Sequence, residues 1–103
     1  MSLTLINLFT VPPEEADAFV GRFTAMARQL QGVEGFEGTD LNRYAGVGDP
    51  SYQFVNIAKW ASAEAWRAAL PQIIAAAGAL GSGVVPKAAL YESVFRLPGA
   101  ATL

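Results

Sequence analysis

Two segments of this 103-residue chain have the pattern of β-strands that carry apolar side chains on both faces. The first, Thr4 to Val11, is an almost continuous apolar run, and the second, Tyr52 to Ala61, reads YQFVNIAKWA. A strand that is apolar on both faces needs a covering layer on each side. Helices of the same chain can supply one layer. We therefore expect the other layer to come from a second copy of the chain.

The remaining elements follow from hydrophobic periodicity and from the positions of proline and glycine. The sequence predicts four strands, over residues 4–11, 36–44, 52–61 and 88–97. An amphipathic helix is predicted from Pro12-Pro13 to about Gln31, between the first and second strands. A second helix is predicted from Ser62, with a kink or a restart at Pro71 and a weak continuation to Leu80. Pro86 is expected to interrupt the chain before that last strand.

This order, β-α-β-β-α-β, is that of the ferredoxin-like split βαβ arrangement. It is an α+β fold in which a four-stranded antiparallel sheet carries its helices on one face. Residues 1–103 are expected to form a single domain, with residues 98–103 as a tail. The bare sheet face, which includes Val55 and Ile57, predicts a homodimer in which two sheets form a dimeric α+β barrel.

Composition narrows the classes of partner. Charged residues make up only 16% of the chain, against about 25% in an average soluble protein, which agrees with a surface buried against a second copy. The net charge is -2 and no basic cluster exists, which argues against nucleic acid and anionic membranes as partners. The sequence has no cysteine and no histidine, which excludes disulfides, thiolate catalysis, zinc fingers and histidine-ligated haem. Neither a metal nor a cofactor is predicted.

No targeting or membrane-spanning segment is recognisable in the sequence. The first five residues, MSLTL, lack the basic segment and the cleavage site of a signal peptide. The most apolar tract, Ile73 to Val85, is too short to cross a bilayer and contains glycines. We expect a cytoplasmic location and no membrane partner.

Two amides and two indoles are the candidate site residues. Asn56 and Trp60 lie four residues apart on the third strand, so they share a face, and we expect that face to meet the helices. Asn7 on the first strand, and Trp66 on the helix that follows the third strand, can face the same space. This set suits a planar aromatic ligand. The alternative is a packed core in which each amide pairs with the backbone.

Four further residues are assigned to substrate contact. They are Phe54, which shares the face of Asn56, and the polar or aromatic residues Arg43, Tyr52 and Tyr91. The alternative for each of them is an ordinary surface or core position.

The stretch FVNIAKWASAEAWRAAL, preceded by INLFTVPP and by GVEGF after the first helix, resembles the antibiotic biosynthesis monooxygenase family over about the first 70 residues. The resemblance implies a dimeric α+β barrel. It also implies that some members oxidise anthrone-type polyketide intermediates to quinones with O₂, without metal or organic cofactor. In those members a strand Asn and a Trp four residues later line the pocket, and Asn56 and Trp60 match this spacing.

The chain departs from the family's pattern at two points. The polyketide oxidases have a Tyr at the position that corresponds to Trp66, and an indole cannot exchange a proton as a phenol does. Haem-degrading relatives carry an Asn on the first strand, which Asn7 matches, together with a haem-ligating His that this chain lacks.

The leading hypothesis is a cofactor-independent monooxygenase that acts on a small aromatic, anthrone- or quinol-like compound. Asn56, Trp60 and Trp66 would be its catalytic residues, and Asn7 would assist in substrate binding. The alternatives are a non-catalytic dimeric barrel that binds a small molecule or serves in stress, and haem handling without a His ligand.

Overall fold

The computed structural model describes residues 2–100 and contains four strands and two long helices. In chain order they are β1 (Leu3–Thr10), a 3-10 turn (Pro13–Glu15), α1 (Ala16–Leu30), β2 (Phe36–Arg43), β3 (Phe54–Trp60), α2 (Ala63–Ala77) and β4 (Val85–Tyr91). The strands form one antiparallel sheet in the order β2-β3-β1-β4. The predicted ferredoxin-like α+β fold is confirmed.

Local chemistry explains how each helix begins. Pro12 is extended and Pro13 opens the 3-10 turn, where a missing N–H costs nothing because the first turn has no partner for it. Ser62 caps α2, and its side chain accepts a hydrogen bond from the Ala65 N–H at 3.1 Å. The expected restart at Pro71 does not occur, because α2 runs through this exposed residue as a single helix and ends at Ala77.

The last strand lies earlier in the chain than the sequence predicted. β4 pairs with β1 from Val85 to Tyr91, and Tyr91 is opposite Thr4. β1 begins at Leu3, one residue beyond this pair, so residues 93–97 have no partner on β1, and residues 92–97 are not a strand. Pro86 lies inside β4, which an edge strand permits. Of the predicted tail, residues 101–103 lie outside the described part of the chain.

The inner face of the sheet packs against the helices. An aromatic cluster lies at one end of the interface between the sheet and the helices. The ring centroid of Phe19 on α1 is 5.0 Å from that of Phe9 and 4.7 Å from that of Phe54. A second cluster forms around Trp60 and Leu5 at the other end. Burial alternates strictly along β3, as the sequence predicted, so the positions of Asn56 and Trp60 face the helices.

The outer face of the sheet is apolar at its centre and partly exposed. Ile6 and Leu8 of β1 and Val55 of β3 are half-buried, and Ile57 is 38% exposed. The register sets Ile6 opposite Ile57 and Leu8 opposite Val55, so the four side chains form one patch. This apolar outer patch is the surface that the sequence assigned to a second copy.

Candidate active site

An apolar cavity of about 370 Å³ lies between the inner face of the sheet and the two helices. Its floor comes from the sheet and its walls come from the helices. The floor includes Leu5, Asn7, Asn56, Ala58, Trp60 and Ala88, and the walls include Phe23, Met26, Leu30, Trp66, Leu70 and Ile73. Within residues 2–100 no charged side chain lines this cavity.

The floor is polar at its centre because two amides lie side by side there. Asn7 of β1 and Asn56 of β3 are direct cross-strand partners. Their neighbours on the floor, Ala88 opposite Asn7 and Ala58 two residues beyond Asn56, are small. These small neighbours do not cover the amides, and both Asn7 and Asn56 line the cavity.

Asn56 is buried, with 6% of its surface exposed. Its Oδ1 accepts a hydrogen bond from the Thr39 hydroxyl on β2. The Nδ2 group finds no acceptor among residues 2–100, so it remains a free donor at the cavity floor.

Trp60 and Asn7 each bury a polar atom that has no partner in the described chain. Trp60 is 1% exposed, its ring lies edge-on to Phe36 at 5.3 Å between centroids, and its Nε1–H meets no acceptor. Oδ1 of Asn7 is buried without a donor. Leaving such a group unpaired costs about 1–3 kcal/mol, so native proteins rarely keep one without a purpose. Both atoms belong to residues that line the cavity.

Trp66 lines the cavity from the start of α2, where the helix packs closely against the turn that precedes β2. Gly35 has φ +83°, and its carbonyl accepts from the Ala61 N–H at 2.8 Å. A Cβ at Gly35 would lie 2.3 Å from the Cβ of Ala65, so only glycine fits there. This contact fixes the start of α2 and sets the half-buried Trp66 against the cavity.

The cavity opens between α2 and β4. Ile74 lines it and is 66% exposed, and Pro86 and Ala88 on the inner face of β4 also line it and are exposed. A ligand can therefore enter over β4 and meet an apolar rim before it reaches the two amides.

The four sequence candidates Asn7, Asn56, Trp60 and Trp66 thus share one cavity. The other four lie outside it. Phe54 is in the aromatic cluster, and the guanidinium carbon of Arg43 lies 5.4 Å from the centroid of its ring. Arg43 also forms an ion pair with Asp17, with 3.4 Å between nitrogen and oxygen. Tyr52 lies beside Arg43 in a surface groove, and Tyr91 is exposed at the end of β4. Their contact with substrate stays a prediction.

Sequence reasoning missed Thr39 and most of the helical wall. The wall residues Phe23, Met26 and Leu30 lie on the apolar face of α1, which periodicity does reveal, but periodicity cannot separate a cavity wall from a packed core. Thr39 faces the cavity only because of an irregularity in β2, and Gly38 is the sequence signal that could have indicated it, since glycine inside a strand often marks a bulge.

A cavity between the sheet and the helices, with unpaired amide and indole groups on the residues that line it, is a candidate site for a small molecule. Residues 2–71 match the family model of antibiotic biosynthesis monooxygenases, which spans more than half of the chain, and the chain belongs to this family. A comparison with curated protein sequences found no match.

Solved structures agree with this assignment. SnoaB, a cofactor-independent oxygenase from Streptomyces nogalater, is 30% identical, with 95% of this chain and 98% of that chain covered and a TM-score of 0.78. A candidate monooxygenase from Shewanella loihica PV-4 is 27% identical, with 92% and 96% covered and a TM-score of 0.79. MhuD, a haem degrader from Mycobacterium tuberculosis, is 25% identical, with 93% and 99% covered and a TM-score of 0.71. Together with the family, these neighbours support a monooxygenase in general terms.

The donors around the cavity do not fit a haem centre. Haem iron takes imidazole, thiolate, phenolate or a thioether paired with imidazole as axial ligands. The chain has no His or Cys, and Met26 contributes the only sulfur to the described lining. The described lining therefore offers none of these ligand sets to a haem iron. No helix among residues 2–100 has the length and hydropathy needed to cross a membrane.

Proposed function

We propose that this protein is a cofactor-independent monooxygenase that oxidises a small, planar, anthrone- or quinol-like aromatic compound with O₂. The observation that carries the proposal is a set of hydrogen-bonding groups without a partner among residues 2–100, on residues that line an otherwise apolar cavity: Oδ1 of Asn7, Nδ2 of Asn56 and Nε1 of Trp60. One of these groups accepts and two donate. A hydroxylated aromatic ketone or its anion carries the complementary groups, and the apolar walls suit its rings.

For an anthrone, the reaction balances without an external reductant. A CH₂ group beside the aromatic rings gives up its two hydrogens, one atom of O₂ becomes the new carbonyl oxygen, and the other leaves as water. The substrate first loses a proton, and its electron-rich anion then supplies the electrons that reduce O₂. The protein has to bind, orient and stabilise this anion.

Each cavity residue has a role in this scheme. Asn56 and Trp60 donate hydrogen bonds to the substrate oxygen on which negative charge accumulates. A preorganised donor of this kind contributes about 10²–10³ in kcat. Asn7 accepts a hydrogen bond from a neighbouring hydroxyl group of the substrate, and Trp66 covers the rings. No titratable side chain of residues 2–100 lines the cavity, so the substrate proton passes to solvent.

A non-catalytic binding protein is the second candidate, and Trp66 is the observation that favours it. An indole stands where the polyketide oxidases have a phenol, so the cavity can hold an aromatic ligand without a side chain that transfers its proton. A closed, fully packed interior would have favoured this candidate strongly. The interior instead contains an open cavity of about 370 Å³, which agrees with both candidates.

We propose further that the active form is a homodimer, joined through the apolar outer patch of Ile6, Leu8, Val55 and Ile57. A second sheet on this patch would complete the α+β barrel and would account for the low charge content. The cytoplasmic location stays a prediction.

The test is O₂ uptake by chelator-treated protein with 1,8-dihydroxy-9-anthrone and a panel of hydroquinones. We expect uptake above the spontaneous rate, with loss of about a hundredfold in kcat for Asn56→Ala and a clear loss for Trp60→Phe. Gln72→Ala, which alters an exposed amide on α2 outside the cavity, is the control and should retain full activity.

Binding separates the two candidates. Both tryptophans of the chain line the cavity, so quenching of their fluorescence by 1,8-dihydroxyanthraquinone measures occupancy. Saturable quenching without O₂ uptake from any compound of the panel supports the binding protein. Uptake that survives in both cavity variants contradicts the proposed site.

A further inference from the structure

The orientation of the Asn56 amide decides what it can recognise. An amide presents a donor at one end and an acceptor at the other, and the two ends have nearly the same shape. The Thr39 hydroxyl donates to Oδ1 of Asn56, which leaves Nδ2 as the group that faces the cavity. With the opposite orientation, Asn56 would present an oxygen and repel an anionic ligand.

Thr39 lies on the cavity side only because β2 contains a bulge. Phe36 is opposite Trp60, and both Phe36 and Thr39 line the cavity although they are three residues apart. In a regular strand such a pair points to opposite faces. The register shifts between Phe36 and Gly38, and the extra residue returns Thr39 to the face of Phe36.

Gly38 supports the bulge through its backbone conformation. Its φ is +124°, which lies in a region of backbone conformation that L-residues rarely adopt. The chain thus departs from regular strand geometry at one point. The result is that the Thr39 hydroxyl lies diagonally across from Asn56, within hydrogen-bonding reach of its amide.

We infer that Thr39 is a positioning residue, which orients the Asn56 amide so that its Nδ2 group donates to an oxygen of the ligand. The inference rests on the proposed function and deepens it. It requires that the ligand atom above Asn56 is a hydrogen-bond acceptor, such as a carbonyl oxygen or an oxyanion, and not a hydroxyl that donates. Thr39 itself does not contact the reacting atoms.

The test compares Thr39→Val, which removes the hydroxyl at nearly constant shape, with Thr39→Ser, which keeps it. With 1,8-dihydroxy-9-anthrone, Thr39→Val should lower kcat by about threefold to tenfold, the value of one neutral hydrogen bond, with little change in KM. Thr39→Ser should restore kcat. In an Asn56→Ala background, Thr39→Val should have no further effect, because the residue acts through Asn56.

Thr24→Val is the matched control. The Thr24 hydroxyl bonds to the Val20 carbonyl on the surface of α1, at 2.7 Å, and does not line the cavity. It should leave kcat unchanged. Thermal melting of each variant verifies that it is folded.

A readout without turnover separates this inference from the proposed function. In ¹⁵N spectra of the free protein, Thr39→Val should shift the side-chain NH₂ signals of Asn56, and Thr39→Ser should leave them near their original position. If these signals do not move in Thr39→Val, the inference fails even if the enzyme is active. If they move while no substrate consumes O₂, the inference stands and the monooxygenase proposal fails. An equal loss of kcat with and without Asn56 also overturns the inference.

Discussion

Replacement of Asn7 by leucine should make the protein more stable and less able to bind its ligand. Oδ1 of Asn7 is buried and has no partner among residues 2–100, and the surrounding cavity is apolar. An unpaired buried polar group costs about 1–3 kcal/mol, and leucine has almost the same shape without that cost. The backbone hydrogen bonds of β1 do not involve the side chain, so the sheet is preserved.

The net gain is estimated from the lower end of this range, because Asn7 is only half-buried. A gain of about 1 kcal/mol raises Tm by roughly 4–8 °C in a domain of this size. Calorimetric melting at one fixed protein concentration measures the change, since association also shifts Tm. Quenching by 1,8-dihydroxyanthraquinone should weaken in the same variant.

Asn7→Ala is the matched control for this prediction. It removes the same oxygen but leaves additional empty space, so the two effects oppose each other and Tm should change little. A fall in Tm for Asn7→Leu would refute the reasoning, since it would mean that the amide is satisfied in the folded protein.

Four further predictions test other parts of the structure. Gly35→Ala should lower the free energy of unfolding by about 2–4 kcal/mol in urea denaturation, because the position has a positive φ and the new Cβ would contact Ala65. Gly21→Ala on α1 should instead stabilise the protein by about 0.5–1 kcal/mol, because the space around Gly21 is open. Phe54→Leu tests the predicted substrate contact of Phe54: if this residue only packs in the aromatic cluster outside the cavity, the variant loses about 1–3 kcal/mol of stability with KM unchanged, whereas a raised KM in steady-state kinetics would assign it to the substrate site. Ile57→Lys places a charge on the apolar outer patch and should convert dimers to monomers in light scattering, and an intact dimer would exclude this patch as the interface. The rate of O₂ uptake should rise with pH along a single ionisation curve that tracks the pKa of each substrate, because no titratable side chain of residues 2–100 lines the cavity; a bell-shaped profile would point to a protein acid or base.

The fold and the centre of the site could be predicted because both depend on local periodicity. The alternation along β3 is visible in the letters FVNIAKW, so the common face of Asn56 and Trp60 follows directly from it. Asn7 follows in the same way from β1. The register that makes Asn7 and Asn56 neighbours depends on long-range pairing, and the sequence alone did not predict it.

The errors arise where pairing overrides local pattern. The prediction of a last strand over 88–97 follows the apolar letters, but β1 begins at Leu3 and offers residues 93–97 no partner, and β4 ends at Tyr91. Thr39 was missed for a related reason, since one extra residue in β2 reverses which side chains face inward. The surface position of Arg43 could not be predicted, because a strand end can place a long side chain either over the core or beside it.

Pro86 on β4 has a consequence for how copies of this chain can meet. A free sheet edge carries a row of unpaired N–H and C=O groups that invites the strands of other molecules and leads to aggregation. β4 is such an edge, and Pro86 interrupts its row of donors, while Lys87 beside it adds a charge that resists close approach. The protein therefore discourages growth by strand addition at this edge. The proposed dimer, which forms through the face of the sheet, is self-limiting because it ends at two copies.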